Sequence, residues 1–427
     1  MRDVRMRGFR DRRTVAEALA ILSARTGPLP AEAVPVSECV GRVVARDVAA
    51  AVAVPHFARA AMDGYALAGE STFGATTYAP VELFVVGEVR AGRGSLPPIR
   101  AGQAVRITTG APVPEGADAV LMAENAEERP LAEARATPPE GALALVRVRE
   151  PVAPGKHVGA IGEDVPAGAT VVTAGRRLRP QDAGVLASTG VIEVPAVRRP
   201  TVRILITGDE LLRPGSVPSG SSIVDTNSLV LTALAARDGA AGCAIEYVRD
   251  ARDDVREAMS RAIEDVILVS GGSSVGPEDH APLVLAEIGE VTVHGVAMRP
   301  SSPAGFGFLP ARKGARETPV FLLPGNPVSC LCAYEFFAGP TIRALGGRSR
   351  EWPHRRKACT VARKIVSELG RTDYTRVKVE GDLVSPIMTS GASILSSTTR
   401  ADGVVIVPAD HEGHGEGESV TVLLYDD

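Results

Sequence analysis

From Thr201 onward the sequence repeats one order of pattern: apolar strand, glycine-containing loop, helix. TVRILI is a continuous apolar run with no alternation, so both faces of that strand must be covered. The segment SLVLTALAARDG predicts a helix ending at Gly239, placed as a C′ glycine. DDVREAMSRAIEDV predicts a second helix, capped by Asp253 or Asp254. Its spacing puts Val255, Met259, Ala262 and Ile263 on one face, with Glu257 four residues before Arg261. VILVS, EVTVHGVAM and PVFLLPG read as further buried strands. Strands that alternate with helices in this way predict a mostly parallel, doubly wound sheet covered by helices.

The flanking regions have a different texture. Thr14 and Glu17 form a capping box that opens a first helix. Between about Val52 and Glu150, VELFVVGEV, AVRITTG, DAVLMAE and LALVRVRE read as short strands separated by glycine and proline turns. GKHVGAIGEDVPAGATVVTAGRRL is extended and glycine-punctuated, and QDAGVLASTG after it reads as a short helix. Beyond Gly347 only strand patterns return, in KACTVARKI, YTRVKVEG, GVVIVPAD and SVTVLLY, which predicts a small antiparallel β domain or barrel. The expected fold class is therefore α/β plus β, in a multidomain chain. A length of 427 residues suits that division.

A formal net charge of −4 argues against nucleic acid or an acidic membrane surface as the main partner. No apolar signal core follows the basic start MRDVRMRGFRDRR and no run is long enough to span a bilayer, so a cytoplasmic protein is expected. The five scattered cysteines suggest neither a disulfide framework nor a zinc ribbon; Cys330 and Cys332 read as buried packing residues. His411 and His414 have a metal-like spacing, but a polar hairpin is the preferred reading, because zinc needs further positioned ligands.

In an open α/β sheet ligands bind beyond the carboxyl ends of the strands. Five polar loops fall at such positions. They are Thr207-Gly208-Asp209-Glu210, the segment with Asp225 and Asn227, the run Ser270-Gly271-Gly272-Ser273-Ser274 with Asp279, the stretch HGVAMRPSSPAGFG, and Pro324-Gly325-Asn326-Pro327. Backbone N–H groups in glycine and serine loops suit phosphate, while clustered carboxylates suit Mg²⁺. Any one of these loops alone is a turn signal. Taken together they point to an anionic, phosphorylated ligand with a hard cation.

PHFARAAMDGYAL, RITTGAPVPEGADAVLMAEN, GEDVPAGATVV, ILITGDELLRPG, IVDTN, SGGSSVGPED, LLPGNPVS, GRTDYTRVKV and ADGVVIVP occur in this order. In that order the chain resembles the MoeA-type molybdopterin molybdenumtransferases, the family that includes the gephyrin E domain. The resemblance covers essentially the whole sequence. It implies a discontinuous N-terminal domain (1–51 and 151–190), an inserted β-rich domain carrying AMDGYA (52–150), a MoaB/Mog-like α/β molybdopterin-binding domain (191–347) and a C-terminal β-barrel (348–427). It also implies the reaction: insertion of molybdate into adenylylated molybdopterin with release of AMP, assisted by Mg²⁺. An elongated homodimer is implied too, with the site between the α/β domain of one subunit and the AMDGYA domain of the other. Matching positions carry over Asp63, Thr109, Asp164, Glu210, Asp225 and Arg299 as catalytic residues. Asp63, Glu210, Asp225 and Asp279 are expected as metal ligands. The pterin and phosphate pocket is expected from Thr207, Gly208, Asp209, Asn227, Ser270 to Ser274, Asp279, Ser301, Ser302 and Pro324 to Pro327.

The stretch around Arg299 departs from the family, which usually reads AMKPGKP. Arg299 replaces the first lysine, Ser301 the glycine and Ser302 the second lysine. Ala60 stands for a serine, and His157 and Gly159 for asparagine and arginine. Arg299 keeps a cation and adds a bidentate fork, so the loop is read as an altered anion-binding loop. Two readings follow: a transferase for molybdate or tungstate, or a paralogue that binds molybdopterin or a protein partner as a scaffold. Partner proteins consistent with the family are a molybdopterin adenylyltransferase and molybdoenzymes.

Overall fold

The computed structural model describes residues 12–92, 98–272, 279–311 and 316–425. Two compact units result. One joins the N-terminal residues to Ala196–Asp427, and the other is Ala33–Pro195.

In the first unit, strands β1 (Thr201–Thr207), β2 (Gly242–Val248), β3 (Val266–Ser270), β4 (Glu290–His294), β5 (Gly305–Leu309) and β6 (Thr318–Leu323) form one sheet in the order β2-β1-β3-β6-β5-β4. The neighbours β2, β1, β3 and β6 run parallel. β5 pairs antiparallel with both β6 and β4, so the sheet is parallel only over the part that the strand–helix repeat covers. Helices α1 (Asn227–Arg237), α2 (Arg252–Arg261), α3 (Ala281–Ile288) and α4 (Pro327–Ala333) supply the cover. Val255 and Met259 of α2 and Val284 and Leu285 of α3 share one core with Leu205, Ile267, Val269, Val320 and Leu322. α1 packs against β1 and α4.

Three details differ from the sequence reading. α2 is preceded by Ala251, which makes no side-chain cap, and it ends at Arg261. Asp253 and Asp254 are first-turn residues, favoured there by the helix dipole. Ile263 lies past the helix end and is 82% exposed, so only the other three residues of the expected apolar stripe are buried. EVTVHGVAM is not one strand: β4 stops at His294 and Gly295 takes a positive φ, after which Met298–Arg299 forms a separate short strand.

β7 (Arg355–Val361), β8 (Thr372–Glu380), β9 (Leu383–Met388), β10 (Gly403–Val407) and β11 (Ser419–Leu424) pair in the order β8-β9-β7-β11-β10. Pairing of β10 with β8 closes a five-stranded barrel. The Met298–Arg299 strand adds to the barrel, parallel to the start of β8. Val361, Val377, Val384, Val405 and Val422 are among the barrel's core residues; small β-branched side chains fill a narrow barrel without large aromatics. α4 continues through a π-helical turn, Tyr334–Ala338, into a further helix Gly339–Leu345.

In the second unit a six-stranded sheet is built from residues 64–67, 81–89, 103–107, 119–122, 126–129 and 144–148. Leu67, Leu83, Val85, Leu121 and Val146 lie in its core. The expected helix over QDAGVLASTG is Pro180–Ser188. Among the described residues no helix is long and apolar enough to cross a membrane.

Candidate functional site

β1, β3 and β6 end side by side, and the loops that leave them enclose a cleft of about 760 Å³. That is the size of a small-molecule site. Of the expected residues, Thr207, Gly208, Glu210, Asp225, Asn227, Ser270, Gly271, Gly272, Asp279, Gly325, Asn326 and Pro327 all line it. Asp209 stands beside it, accepting a hydrogen bond from the backbone of Asp250. Pro324 follows β6 directly. Ser273 and Ser274 lie outside the described residues.

The geometry assigns Asp225 and Asn227 definite work. The Asn227 amide donates to Ser270 Oγ (2.9 Å) and to the Gly325 carbonyl (2.8 Å). One side chain at the start of α1 therefore stitches together the ends of β3 and β6, and both amide hydrogens are consumed in doing so. Asp225 Oδ1 accepts from the backbone N–H groups of Asn227 (2.9 Å) and Ser228 (3.2 Å). The first donors of α1 are thus satisfied by a carboxylate, as at an N-cap. Oδ2 accepts from the Tyr247 hydroxyl at 2.8 Å, and Asp225 is 3% exposed. Gly271 has φ +98°, and a Cβ there would sit 2.4 Å from the Thr207 carbonyl oxygen, so the β3 loop can only pass β1 as glycine.

Among the lining residues not singled out from the sequence are Asp250 and Ser393. Asp250 follows the edge strand β2, where RDARDD looks like an ordinary acidic helix start. Ser393 comes from the barrel, where its Oγ donates to Asn326 Oδ1 (2.8 Å). The backbone of Ala392 accepts from Val328 at 2.9 Å, so the segment after β9 is bonded to the PGNP turn. The glycine–serine run TSGAS was the available signal, though glycine and serine are ordinary turn residues.

The lining is acidic. Glu210, Asp225, Asp250 and Asp279 face the cleft, and no lysine or arginine is among its described lining residues. Among the described residues no three histidine, cysteine or carboxylate side chains converge on one point. Asp225 already accepts three hydrogen bonds, from the backbone of Asn227 and Ser228 and from Tyr247. Such a donor set fits a cation that arrives with phosphates and keeps most of its water, as Mg²⁺ commonly does.

The stretch around Arg299 also differs from expectation. Met298–Arg299 pairs with Thr372–Asp373 in register, which sets Arg299 against Asp373. Its Nε donates to Asp373 Oδ1 at 3.1 Å and its Nη2 to Oδ2, and Asp373 is fully buried. The guanidinium is spent on an internal ion pair, and Arg299, Ser301 and Ser302 are not among the residues lining the cleft. Ser301 holds φ +88°, a conformation natural to the glycine expected there. The hydroxyls of Ser301 and Ser302 are buried without a hydrogen-bond partner.

A different cation stands out on the barrel strand β8, bonded to the segment that carries the lining residue Ser393. Arg376 of β8 is fully buried, and burial lowers its pKa. Its Nη2 donates to the carbonyl of Ser390, while Nε and Nη1 have no partner. Buried unsatisfied donors are rare in folded proteins and mark places where a ligand or water completes the set.

In the second unit, Asp63 Oδ1 accepts from the backbone N–H of Thr109 (2.6 Å) and from its hydroxyl (2.9 Å). These bonds lower the pKa of this exposed carboxylate. Asp164 is exposed and its backbone donates to Val54. Among the described residues no hydrogen bond or ion pair links Asp164 to Asp63 or Thr109.

A mixed sheet whose parallel strands end at an acidic, glycine-lined ligand cleft, in one chain with a closed β-barrel, defines a multidomain α/β plus β ligand-binding protein. Residues 13–190 match the MoeA N-terminal region (domains I and II), 203–344 a probable molybdopterin binding domain, and 358–425 the MoeA C-terminal region (domain IV). The chain is 34% identical to molybdopterin molybdenumtransferase 2 of Mycobacterium tuberculosis over 397 residues, covering 88% of this chain and 91% of that one. It is 32% identical to the molybdopterin molybdenumtransferase of Bacillus subtilis over 403 residues, covering 92% and 89%. A crystal structure of a molybdopterin biosynthesis MoeA protein from Pyrococcus horikoshii superposes with a TM-score of 0.81 at 32% identity, covering 98% of this chain and all of that one. The chain belongs to the family of MoeA-type molybdopterin molybdenumtransferases.

Proposed function

We propose that the protein inserts molybdate into adenylylated molybdopterin and releases AMP, in a Mg²⁺-dependent step of molybdenum cofactor biosynthesis. The observation that supports this most is the cleft at the ends of β1, β3 and β6, whose loops are held in register by Asn227. Its backbone and glycine surfaces suit phosphate. Its carboxylates, Glu210, Asp225, Asp250 and Asp279, suit a hydrated cation carried on those phosphates. The cation would neutralise the developing charge as the phosphoanhydride breaks. Arg376, with two unused N–H donors, is the oxyanion contact in this reading, a part that the sequence reading gave to Arg299. Asp63, Thr109 and Asp164 are retained as substrate-facing residues of a homodimer, and the four-domain division and cytoplasmic location are proposed with it.

One observation favours a second reading. The cation of Arg299 is committed to Asp373, and Ser302 stands where the family has a lysine, so the oxyanion site has lost positive charge. A protein altered in this way would bind molybdopterin as a scaffold, or would prefer tungstate. The two readings separate in cells that lack a molybdenumtransferase. Restored molybdoenzyme activity that is lost with Asp225→Ala and with Arg376→Met supports the transferase. Failure to restore activity at any molybdate or tungstate concentration, with the protein folded and binding molybdopterin, leaves the scaffold.

A further inference from the structure

Tyr247 lies on the edge strand β2 and Arg213 just past the short strand Leu211–Leu212; neither was singled out from the sequence. The two oxygens of Asp225 are held differently. Oδ1 is fixed by two backbone donors of α1, which no side-chain change can remove. Oδ2 is held by one phenol, the Tyr247 hydroxyl at 2.8 Å. That hydroxyl also lies 3.5 Å from Ser228 Oγ. The Arg213 guanidinium lies over the Tyr247 ring, 4.7 Å from its centroid, a cation–π contact that holds a positive charge at the edge of the acidic cleft.

Resting on the functional reading above, we propose that Tyr247 is a positioning residue. It orients Oδ2 of Asp225 for the phosphate-borne cation, while Arg213, stacked on its ring, supplies the positive charge that the cleft lining lacks and contacts the ligand phosphate. The two roles separate kinetically. Tyr247 acts through the orientation of a carboxylate whose bonds tighten during reaction, so its loss falls on kcat. Arg213 acts on the bound ligand before and during reaction alike, so its loss falls on KM.

The test measures AMP release from adenylylated molybdopterin with Mg²⁺ and molybdate for wild type, Tyr247→Phe, Arg213→Ala and Asp225→Asn. Molybdopterin affinity is measured in parallel by fluorescence quenching. Tyr247→Phe keeps the ring beneath Arg213 and removes only the hydroxyl; an unchanged Tm establishes that it folds. The expected result is a kcat reduced roughly tenfold with KM within twofold, the scale of one hydrogen bond to a charged group. Arg213→Ala is expected to raise KM and weaken molybdopterin binding about fivefold or more, with kcat within twofold. A wild-type kcat in Tyr247→Phe, with Asp225→Asn inactive, overturns the role of Tyr247 and leaves the functional reading standing. Unchanged molybdopterin affinity in Arg213→Ala overturns the role of Arg213 whether or not AMP is released. A wild type that releases no AMP overturns the functional reading, and the role of Tyr247 with it.

Discussion

Glu335→Gln is a change remote from the cleft that bears on how the cleft is held. Glu335 sits in the π-helical turn that continues α4, and it is almost fully buried. Burial by itself would raise its pKa. The hydrogen bonds from His354 (3.3 Å) and from Arg237 (2.7 and 2.9 Å) outweigh it and bring the carboxyl down from 4.5 to about 2. At about 1.4 kcal/mol per pH unit, that difference is worth roughly 3 kcal/mol of folding stability at neutral pH. Arg237 is the last residue of α1, whose first residue is the Asn227 clasp, so the ion pair anchors the far end of the helix that frames the site. Because the folded pKa is depressed, the contribution is complete above pH 4.5 and is lost as the pH falls towards 2. Glu335→Gln is expected to lower Tm by roughly 5–10 °C at pH 7 in a unit of this size. The gap from wild type should shrink between pH 4.5 and 3. Calorimetric melts of both proteins across that range check it. A gap that stays constant from pH 7 to pH 3, or one below about 1 kcal/mol at pH 7, would refute the ion-pair argument.

Three further outcomes follow from the geometry. Asn227→Asp puts carboxylate oxygen against the Gly325 carbonyl in place of a donor, and should cost about 2–3 kcal/mol and at least tenfold in molybdopterin affinity, read by urea unfolding and fluorescence titration. Arg299→Met leaves Asp373 in a fully buried site with Ser367 and Arg371 as remaining partners. It should destabilise the barrel contact by about 2–4 kcal/mol while leaving oxyanion affinity within twofold, which equilibrium dialysis with molybdate measures; a large loss of affinity would return Arg299 to the site. In Gly307→Ala the new Cβ would meet the Glu290 carbonyl at 1.8 Å, so β4 and β5 cannot stay paired and the soluble yield should collapse.

Much of the α/β sheet was legible because its strands are uninterrupted apolar runs and its loops carry glycine where the backbone must approach closely. The strand ends place Thr207, Ser270 and Gly325 on one edge, and that placement follows from pattern alone. The antiparallel addition of β4 and β5 was hidden, because every residue of GFGFL is buried and leaves no polar–apolar alternation to read. β9 was missed because Ser385 and Pro386 interrupt its short apolar pattern and conceal a strand that pairs with both β8 and β7. For Arg299, residue type pointed to an anion. Its partner Asp373 lies 74 positions away, and only the register of a two-residue strand on β8 joins them. Arg376 and Tyr247 were invisible for the same reason: each sits in an ordinary strand pattern, and its significance comes from groups brought near by folding.

The most direct measurement is the amount of AMP released from adenylylated molybdopterin by the purified protein with Mg²⁺, in the presence of molybdate, of tungstate, and of neither. Release that requires an oxyanion and that falls with both Asp225→Ala and Arg376→Met is the expected result. Tight pterin binding with no oxyanion-dependent release would contradict the account and leave a binding protein built on the same cleft.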